Sequence, residues 1–118
     1  MGLDLKLLPY TGGFFSLSVL HLERRHKVFF EIVKIDDLHG MPVDDDFHSY
    51  LGRQEGRDDA GYGITTTTPY GDRLTYVFAK HLKPLVNHKG VTDNDTNRAV
   101  WAYLKECPDE LKIALYWS

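Results

Sequence analysis

Alternation of apolar and polar residues marks the two ends of the chain. The segment LDLKLL at residues 3–8 alternates before Pro9, and FFSLSVLHL at residues 14–22 has the same period of two after a pair of glycines. The apolar run at residues 113–117 has the length of one strand. A period of two is typical of β-strands that bury one face. These patterns predict two strands at the start of the chain and one at its end.

The segment at residues 24–37 fits two structures. Phe29, Ile32 and Val33 have the spacing of one helical face, and Gly40 is suited to follow the last turn of a helix. The same segment is rich in β-branched and aromatic residues, which favour strands. We favour the helix, and the strand remains the alternative.

A short helix is predicted at residues 42–52. Pro42 suits a first turn, three aspartates follow it, and Phe47 and Leu51 lie four positions apart before Gly52. Carboxylates stabilise the N-terminal end of a helix, and glycine commonly follows its last turn.

The second half of the chain predicts a hairpin and two helices. The β-branched run ITTTT at residues 64–68 predicts a strand, and the connection PYGDR allows residues 74–77 to return as its partner. Pro84 costs about 3 kcal/mol inside a helix, so we expect only a short helix before Gly90. A longer helix is predicted at residues 92–106, with Thr92 as its cap and Asp95 as the acidic partner.

Together these elements predict one domain over residues 1–118 with a polar loop at residues 53–63. The expected fold class is α+β: a small, single-layer, mostly antiparallel sheet packed by two to four short helices. A chain of 118 residues with 42% hydrophobic residues can bury one core of this kind.

The composition narrows the class of partner. A net charge of −3 does not favour binding to a nucleic-acid backbone, which normally requires an excess of Lys and Arg. The single cysteine, Cys107, and the absence of a basic and then apolar leader lead us to expect a cytoplasmic protein. No apolar run approaches the roughly 20 residues that cross a bilayer, so we expect no membrane partner.

The polar loop at residues 53–63 is the main candidate for a binding segment. It contains three glycines, and every Lys or Arg between residues 36 and 73 is an arginine. Guanidinium groups form bidentate bonds to phosphate or carboxylate, and tyrosine rings offer stacking faces. We predict a ligand or partner site formed by Tyr50, Arg53, Arg57, Tyr62, Tyr70 and Arg73. The alternative is a mobile surface loop in which neighbouring charges neutralise one another.

A metal site is the second candidate. Asp44 and His48 lie four positions apart in the predicted helix, with Asp46 between them. Carboxylate and imidazole groups are ligands of divalent metals, so this cluster predicts a metal-dependent hydrolase or nuclease. An Asp and a His at this spacing are also explained by a surface ion pair, and the spacing matches no established metal motif.

A basic cluster occurs at residues 24–27, with the sequence RRHK. Such a cluster can contact phosphate groups, including those of nucleic acid. It contains no interleaved aromatic residue, so we favour a solvated turn or the start of a helix.

Three blocks of sequence span most of the chain: the opening MGLDLKLLP, the passage PYGDRLTYV, and the closing NRAVWAYLKE with IALYW. Together they resemble small uncharacterised proteins carried by bacteriophages and prophages. The resemblance implies a non-structural accessory protein in the host cytoplasm, which interferes with host enzymes or host defence by binding rather than by catalysis.

The function that we predict is therefore that of a small, non-enzymatic binding protein without a cofactor. It would sequester an anionic, nucleotide-like ligand or inhibit a host defence protein, and the metal-dependent hydrolase is the alternative. A third alternative is a structural role in which the chain associates with another copy of itself.

Overall fold

A computed structural model describes residues 4–10, 16, 18–49 and 63–118 of the chain. The strands are β1 (Leu5–Tyr10), β2 (Leu20–Leu22), β3 (Met41–Pro42), β4 (His48–Ser49), β5 (Gly63–Ile64), β6 (Thr75–Phe78) and β7 (Lys112–Trp117). The helices are α1 (His26–His39), α2 (Ala79–Leu82), α3 (Lys89–Thr92) and α4 (Asp95–Glu106), with a 3-10 helix at Lys83–Asn87 between α2 and α3. Among the described helices, none is long and apolar enough to span a membrane.

Five strands form one antiparallel sheet in the order β2-β1-β7-β6-β3, and β4 pairs with β5 separately. The two terminal strands lie side by side in the middle of the sheet, with Leu5 opposite Trp117 and Leu7 opposite Leu115. The α+β class, with its antiparallel sheet and short helices, is confirmed. The predicted strands near both ends of the chain are also present, as β1, β2 and β7.

One face of the sheet is covered by the helices. Alternate residues of the strands point toward α1 and α4 and form the main core with them. Trp101 of α4 is almost fully buried in this core, and its indole Nε1 donates a hydrogen bond to the Leu82 carbonyl at 2.9 Å. The helix-covered face therefore has both tight packing and paired polar groups.

The ambiguous segment after β2 is a helix, α1, as we favoured. Val28, Phe29 and Ile32 are buried on one side of it, which is the spacing of an amphipathic helix. Gly40 follows the last turn, and a Cβ atom at this position would clash with both Oδ1 and the backbone carbonyl oxygen of Asp36. A larger residue therefore cannot occupy position 40 unless the backbone at the end of α1 shifts as well as the Asp36 side chain.

The helix predicted at residues 42–52 is wrong over residues 42–49, the part that the structure describes. Val43 instead donates its backbone N–H to the Leu74 carbonyl at 3.1 Å, and the His48 carbonyl accepts from the N–H of Ser16 at 2.9 Å. Val43 and Phe47 are buried on the second face of the sheet. Long-range pairing and burial of these apolar side chains override the local helix signals.

The chain turns at residues 69–73 as predicted, but the strand predicted at residues 64–68 is present only as β5, which pairs with β4 and not with β6. One helix start is also corrected. Gly71 has a φ of 88° in the turn, and Thr67 lies opposite Arg73 across it. Helix α4 begins at Asp95 rather than at Thr92, because the Asn94 side chain accepts the N–H of Asn97 at 2.9 Å. An asparagine in this position satisfies an amide that the helix itself leaves unpaired.

Candidate functional site

The second face of the sheet differs from the helix-covered face in its side chains. The register that directs Leu7 and Ile113 to the helices directs the alternate residues to the opposite side. Two of those residues, Leu8 and Ala114, are buried in a second apolar cluster with Val43, Phe47 and Leu74. The other six are aromatic or lysine: Lys6, Tyr10, Tyr76, Phe78, Lys112 and Tyr116. Five of these six side chains are partly exposed, and Tyr10 is buried.

Aromatic rings form a continuous row that begins on this face and continues onto α2 and the end of α1. The ring of Tyr76 lies 6.1 Å from that of Tyr10 and 5.9 Å from that of Phe78, measured between centroids. Phe78 lies 5.9 Å from His81, which stacks on His39 at 4.0 Å with an interplanar angle of 5°. We call Tyr10, Tyr76, Phe78, His81 and His39 the aromatic row.

Lysine side chains lie over the aromatic row. The Lys112 ammonium is 4.8 Å from the Tyr76 centroid and 5.9 Å from that of Tyr10, while Lys80 is 5.6 Å from the Phe78 centroid. Lys80 also pairs with Glu110 at 2.8 Å, whereas no salt bridge to Lys112 is present among the described residues. Among the described residues, Lys112 is therefore the cation of the row that contacts ring faces and no carboxylate.

The Tyr10 hydroxyl is buried without a hydrogen-bond partner. Only 3% of Tyr10 is exposed, and its ring packs against Phe47 at a centroid distance of 4.7 Å. Burial, together with the neighbouring Tyr76 and Asp44, raises the pKa of the Tyr10 phenol above its usual value. The group therefore stays protonated and is an unused hydrogen-bond donor on a ring whose centroid is 5.9 Å from the Lys112 ammonium.

His81 is held in one tautomer at the junction of β6 and α2. Its Nδ1 accepts the backbone N–H of Phe78 at 3.2 Å, so the proton of the neutral ring is on Nε2. Burial lowers the pKa of His81, and the neighbouring His39 and Lys80 lower it further. The ring is therefore kept neutral at its place in the row between Phe78 and His39.

The site predicted from the sequence falls partly outside the described residues. Four of its members, Tyr50, Arg53, Arg57 and Tyr62, are in the part of the chain that is not described. Tyr70 is 57% exposed in the hairpin turn. The Arg73 guanidinium donates hydrogen bonds to the Val43 carbonyl and, at 2.8 Å, to Oδ1 of Asp45. Arg73 is therefore already engaged with groups of the protein itself.

The helical premise of the metal site at Asp44, Asp46 and His48 is wrong. Asp46 lies in a turn and His48 lies in β4, so the three side chains do not have helical spacing. The His48 ring nitrogen Nδ1 is hydrogen-bonded to the Asp46 backbone carbonyl. Within residues 4–10, 16, 18–49 and 63–118, no group of three or more His, Cys, Asp or Glu side chains is placed to hold a metal ion.

Sequence reasoning missed Tyr76, Phe78 and Lys112. The two aromatic residues alternate along β6, and Lys112 begins β7, but these strands are separated by more than thirty residues. Only the strand register, which sets Phe78 opposite Lys112, brings the three side chains to one surface. The alternation in TYVF was a signal for a two-faced strand, but it did not identify the strand beside it.

The fold and this surface define a class: an α+β protein whose antiparallel sheet is covered by helices on one face and has aromatic and lysine side chains on the other. No protein-family model, no curated protein and no solved structure matches the chain.

Proposed function

We propose that this chain is a non-enzymatic binding protein that holds an anionic, nucleotide-like ligand on the aromatic row. The observation that supports the proposal is the position of Lys112 over the rings of Tyr76 and Tyr10, without a carboxylate partner among the described residues. A planar ring system can stack on partly exposed aromatic side chains, and an adjacent ammonium can pair with a phosphate.

The physical chemistry of the row suits a ligand that combines rings and negative charge. Stacking of one base on an aromatic side chain contributes about 1–3 kcal/mol. Lys112 would exchange its contact with the ring faces for a charge-assisted hydrogen bond to the ligand. The Tyr10 hydroxyl, which has no partner, would donate to a ligand oxygen or to a water molecule held by the ligand.

The resemblance to bacteriophage and prophage proteins supports a biological setting for this proposal. In the cytoplasm of a host, an accessory protein with such a site would withdraw a nucleotide signal from the enzymes that respond to it. Binding alone accomplishes this, so the proposed role requires neither a nucleophile nor a metal ion.

Calorimetric titration with mononucleotides and cyclic dinucleotides tests the proposal. We expect saturable binding by at least one of them, and an affinity loss of about tenfold or more for Lys112→Met, which removes the charge but keeps the chain length. The matched control is Lys105→Met, because Lys105 is exposed on α4. The absence of binding at saturating ligand, or equal losses in both variants, would contradict the proposal.

A second pair of variants tests the stacking part. Tyr76→Leu removes a ring from the row, whereas Tyr103→Leu removes a ring that is 42% exposed on α4. We expect weaker binding only for Tyr76→Leu, and a circular dichroism spectrum like that of the wild type for both. Unchanged binding by a folded Tyr76→Leu would exclude stacking at this position.

Inhibition of a host protein is a second candidate function. It is favoured by two large apolar side chains at the end of α1 and the start of β3: Leu38 is 78% exposed and Met41 is 54% exposed. Exposed apolar patches are common at protein interfaces. A tagged wild type should capture from host lysate one protein that the double variant Leu38→Ser, Met41→Ser loses. Equal capture by both would reject this surface as the contact.

A further inference from the structure

A groove separate from the aromatic row lies between the start of α1 and the residue before α3. Its volume is about 390 Å³, and it is lined by His26, Lys27, Phe30, Glu31 and His88. This volume falls within the range of small-molecule sites. None of the lining residues belongs to the aromatic row, so the groove is an independent feature of the surface.

The walls of the groove are fixed by close packing of α3 on α1. A Cβ atom at Gly90 would lie 3.1 Å from Cβ of Val28 and 3.2 Å from Cβ of Arg25. The Gly90 carbonyl also accepts a hydrogen bond from Nδ2 of Asn97 at 3.0 Å. Because Asn97 is fully buried, this bond fixes α3 in place and holds His88 beside α1.

Two of the lining side chains offer a donor and an apolar surface. The His88 Nδ1 accepts the N–H of Gly90 at 3.0 Å, so the proton of the neutral imidazole is on Nε2, which can donate to a ligand. Phe30 is 58% exposed; the Lys34 ammonium lies 4.8 Å from its ring centroid, and the remainder of the ring faces solvent. A ligand with its own ring would cover this apolar surface.

The groove carries a net charge of +1 when Lys27, Glu31 and its partner Lys34 are counted. Glu31 is paired with Lys34 at 3.4 Å, and Arg25 next to the groove is paired with Asp93 at 3.6 Å. Among the described residues, no salt bridge to Lys27 is present. One uncompensated ammonium matches a monoanion better than a doubly charged phosphate.

We infer that the groove binds a small aromatic carboxylate, whose ring covers Phe30 and whose carboxylate accepts hydrogen bonds from the Lys27 ammonium and from Nε2–H of His88. The proposal does not depend on the nucleotide site, because the two sites share no residue. A single charge, a single ring and one fixed donor define the ligand class.

Titration with 2-naphthoate, followed by two-dimensional NMR of the full chain, tests the inference. We expect saturable shifts of the His88 and Phe30 resonances, and binding at least about tenfold weaker for the neutral 2-naphthalenemethanol. Inorganic phosphate, which has no ring, should compete only weakly. Absence of saturation in the millimolar range, or equal affinity of the neutral analogue, would overturn the proposal.

Variants separate the groove from the aromatic row. Lys27→Met and Phe30→Ser should each weaken 2-naphthoate binding by about tenfold, and both change exposed residues that the core does not need. Lys112→Met and Lys105→Met should leave the affinity measured from the His88 and Phe30 shifts unchanged. If Lys112→Met abolishes binding while Lys27→Met does not, the carboxylate binds the row and the groove proposal fails, whereas the proposed nucleotide site is unaffected.

Discussion

The two faces of the central sheet differ in whether their buried polar groups have hydrogen-bond partners. On the helix-covered face, the buried Asn97 and Trp101 have hydrogen-bond partners within the protein. On the other face, the Tyr10 hydroxyl is the only buried side-chain polar atom of the described residues that has none. Lys112 on the same face is placed over rings rather than beside a carboxylate.

Under the proposed function, the helix-covered face stabilises the fold and the second face binds the ligand. A buried polar group without a partner costs about 1–3 kcal/mol, so its retention is explained if a ligand uses it. The partly exposed aromatic rings and Lys112 are likewise explained if a ligand covers them, because a partly exposed side chain contributes less to the core than a fully buried one. We therefore expect changes on the helix-covered face to alter stability, and changes on the second face to alter binding.

The largest expected effect is a loss of folding stability caused by a substitution on the helix-covered face. Trp101→Ala removes an almost fully buried indole and leaves the Leu82 carbonyl without its hydrogen bond. We expect the free energy of unfolding to fall by about 3–5 kcal/mol in urea denaturation. Tyr103→Ala, two positions along the same helix but exposed, should change it by less than about 1 kcal/mol. Similar losses in the two variants would refute the assignment of the core.

The next largest effect is a loss of stability when a buried, hydrogen-bonded side chain of the same face is removed. Asn97→Ala leaves the N–H of Glu23 and the carbonyl of Gly90 without the partner that Asn97 supplies. We expect a loss of about 2–3 kcal/mol in chemical denaturation, because unpaired buried groups are costly. Asn87→Ala is the control, since Asn87 is exposed. If Asn97→Ala is as stable as the control, the bonds of Asn97 contribute little to the fold.

Tyr10→Phe should have effects of opposite sign on stability and on binding. Removing a buried hydroxyl that has no partner should leave the free energy of unfolding unchanged or raise it by up to about 1 kcal/mol. Nucleotide affinity, measured by calorimetry, should fall. A variant that loses stability but keeps its affinity would show that the hydroxyl has a structural role and no role in binding.

The smallest expected effect is a pH dependence of stability at His81. Because the pKa of this ring is lowered in the folded protein, folding favours its neutral form. Its contribution to stability is present above the unfolded pKa of about 6.5 and is lost as the pH falls through the lower, folded value.

Thermal denaturation between pH 5 and pH 8, a range of about three units around the histidine pKa, checks this sign. The loss of stability at acidic pH should be smaller in His81→Gln than in the wild type. His21→Gln, which changes an exposed histidine on β2, should behave like the wild type. A wild type that gains stability on acidification relative to His81→Gln would reverse the assigned direction.

Local periodicity was sufficient to predict the elements whose packing follows their own apolar pattern. Helix α1 has one apolar stripe with Gly40 after it, and β7 is a short apolar run, so the prediction and the structure agree. At residues 42–49 the aspartates and Phe47 had the spacing of a helix as well. There the outcome depended on Leu74 and Ser16, which are distant in sequence and pair with this segment.

The candidate site could not be derived from the sequence for a related reason. Tyr76 and Lys112 are ordinary strand residues until the register of β6 and β7 sets them on one face. The predicted arginine site differs, since it followed from composition alone. Its residues Arg53 and Arg57 are outside the described part of the chain, so that site stays a prediction.

Chemical-shift mapping with a nucleotide found by calorimetry tests the central claim most directly. In ¹⁵N- and ¹³C-resolved spectra, we expect saturable shifts at Tyr76, Phe78 and Lys112, with no comparable shifts in α4. Shifts confined to residues 53–63 would instead locate the ligand on the polar loop. That result would contradict the assignment of binding to the second face of the sheet.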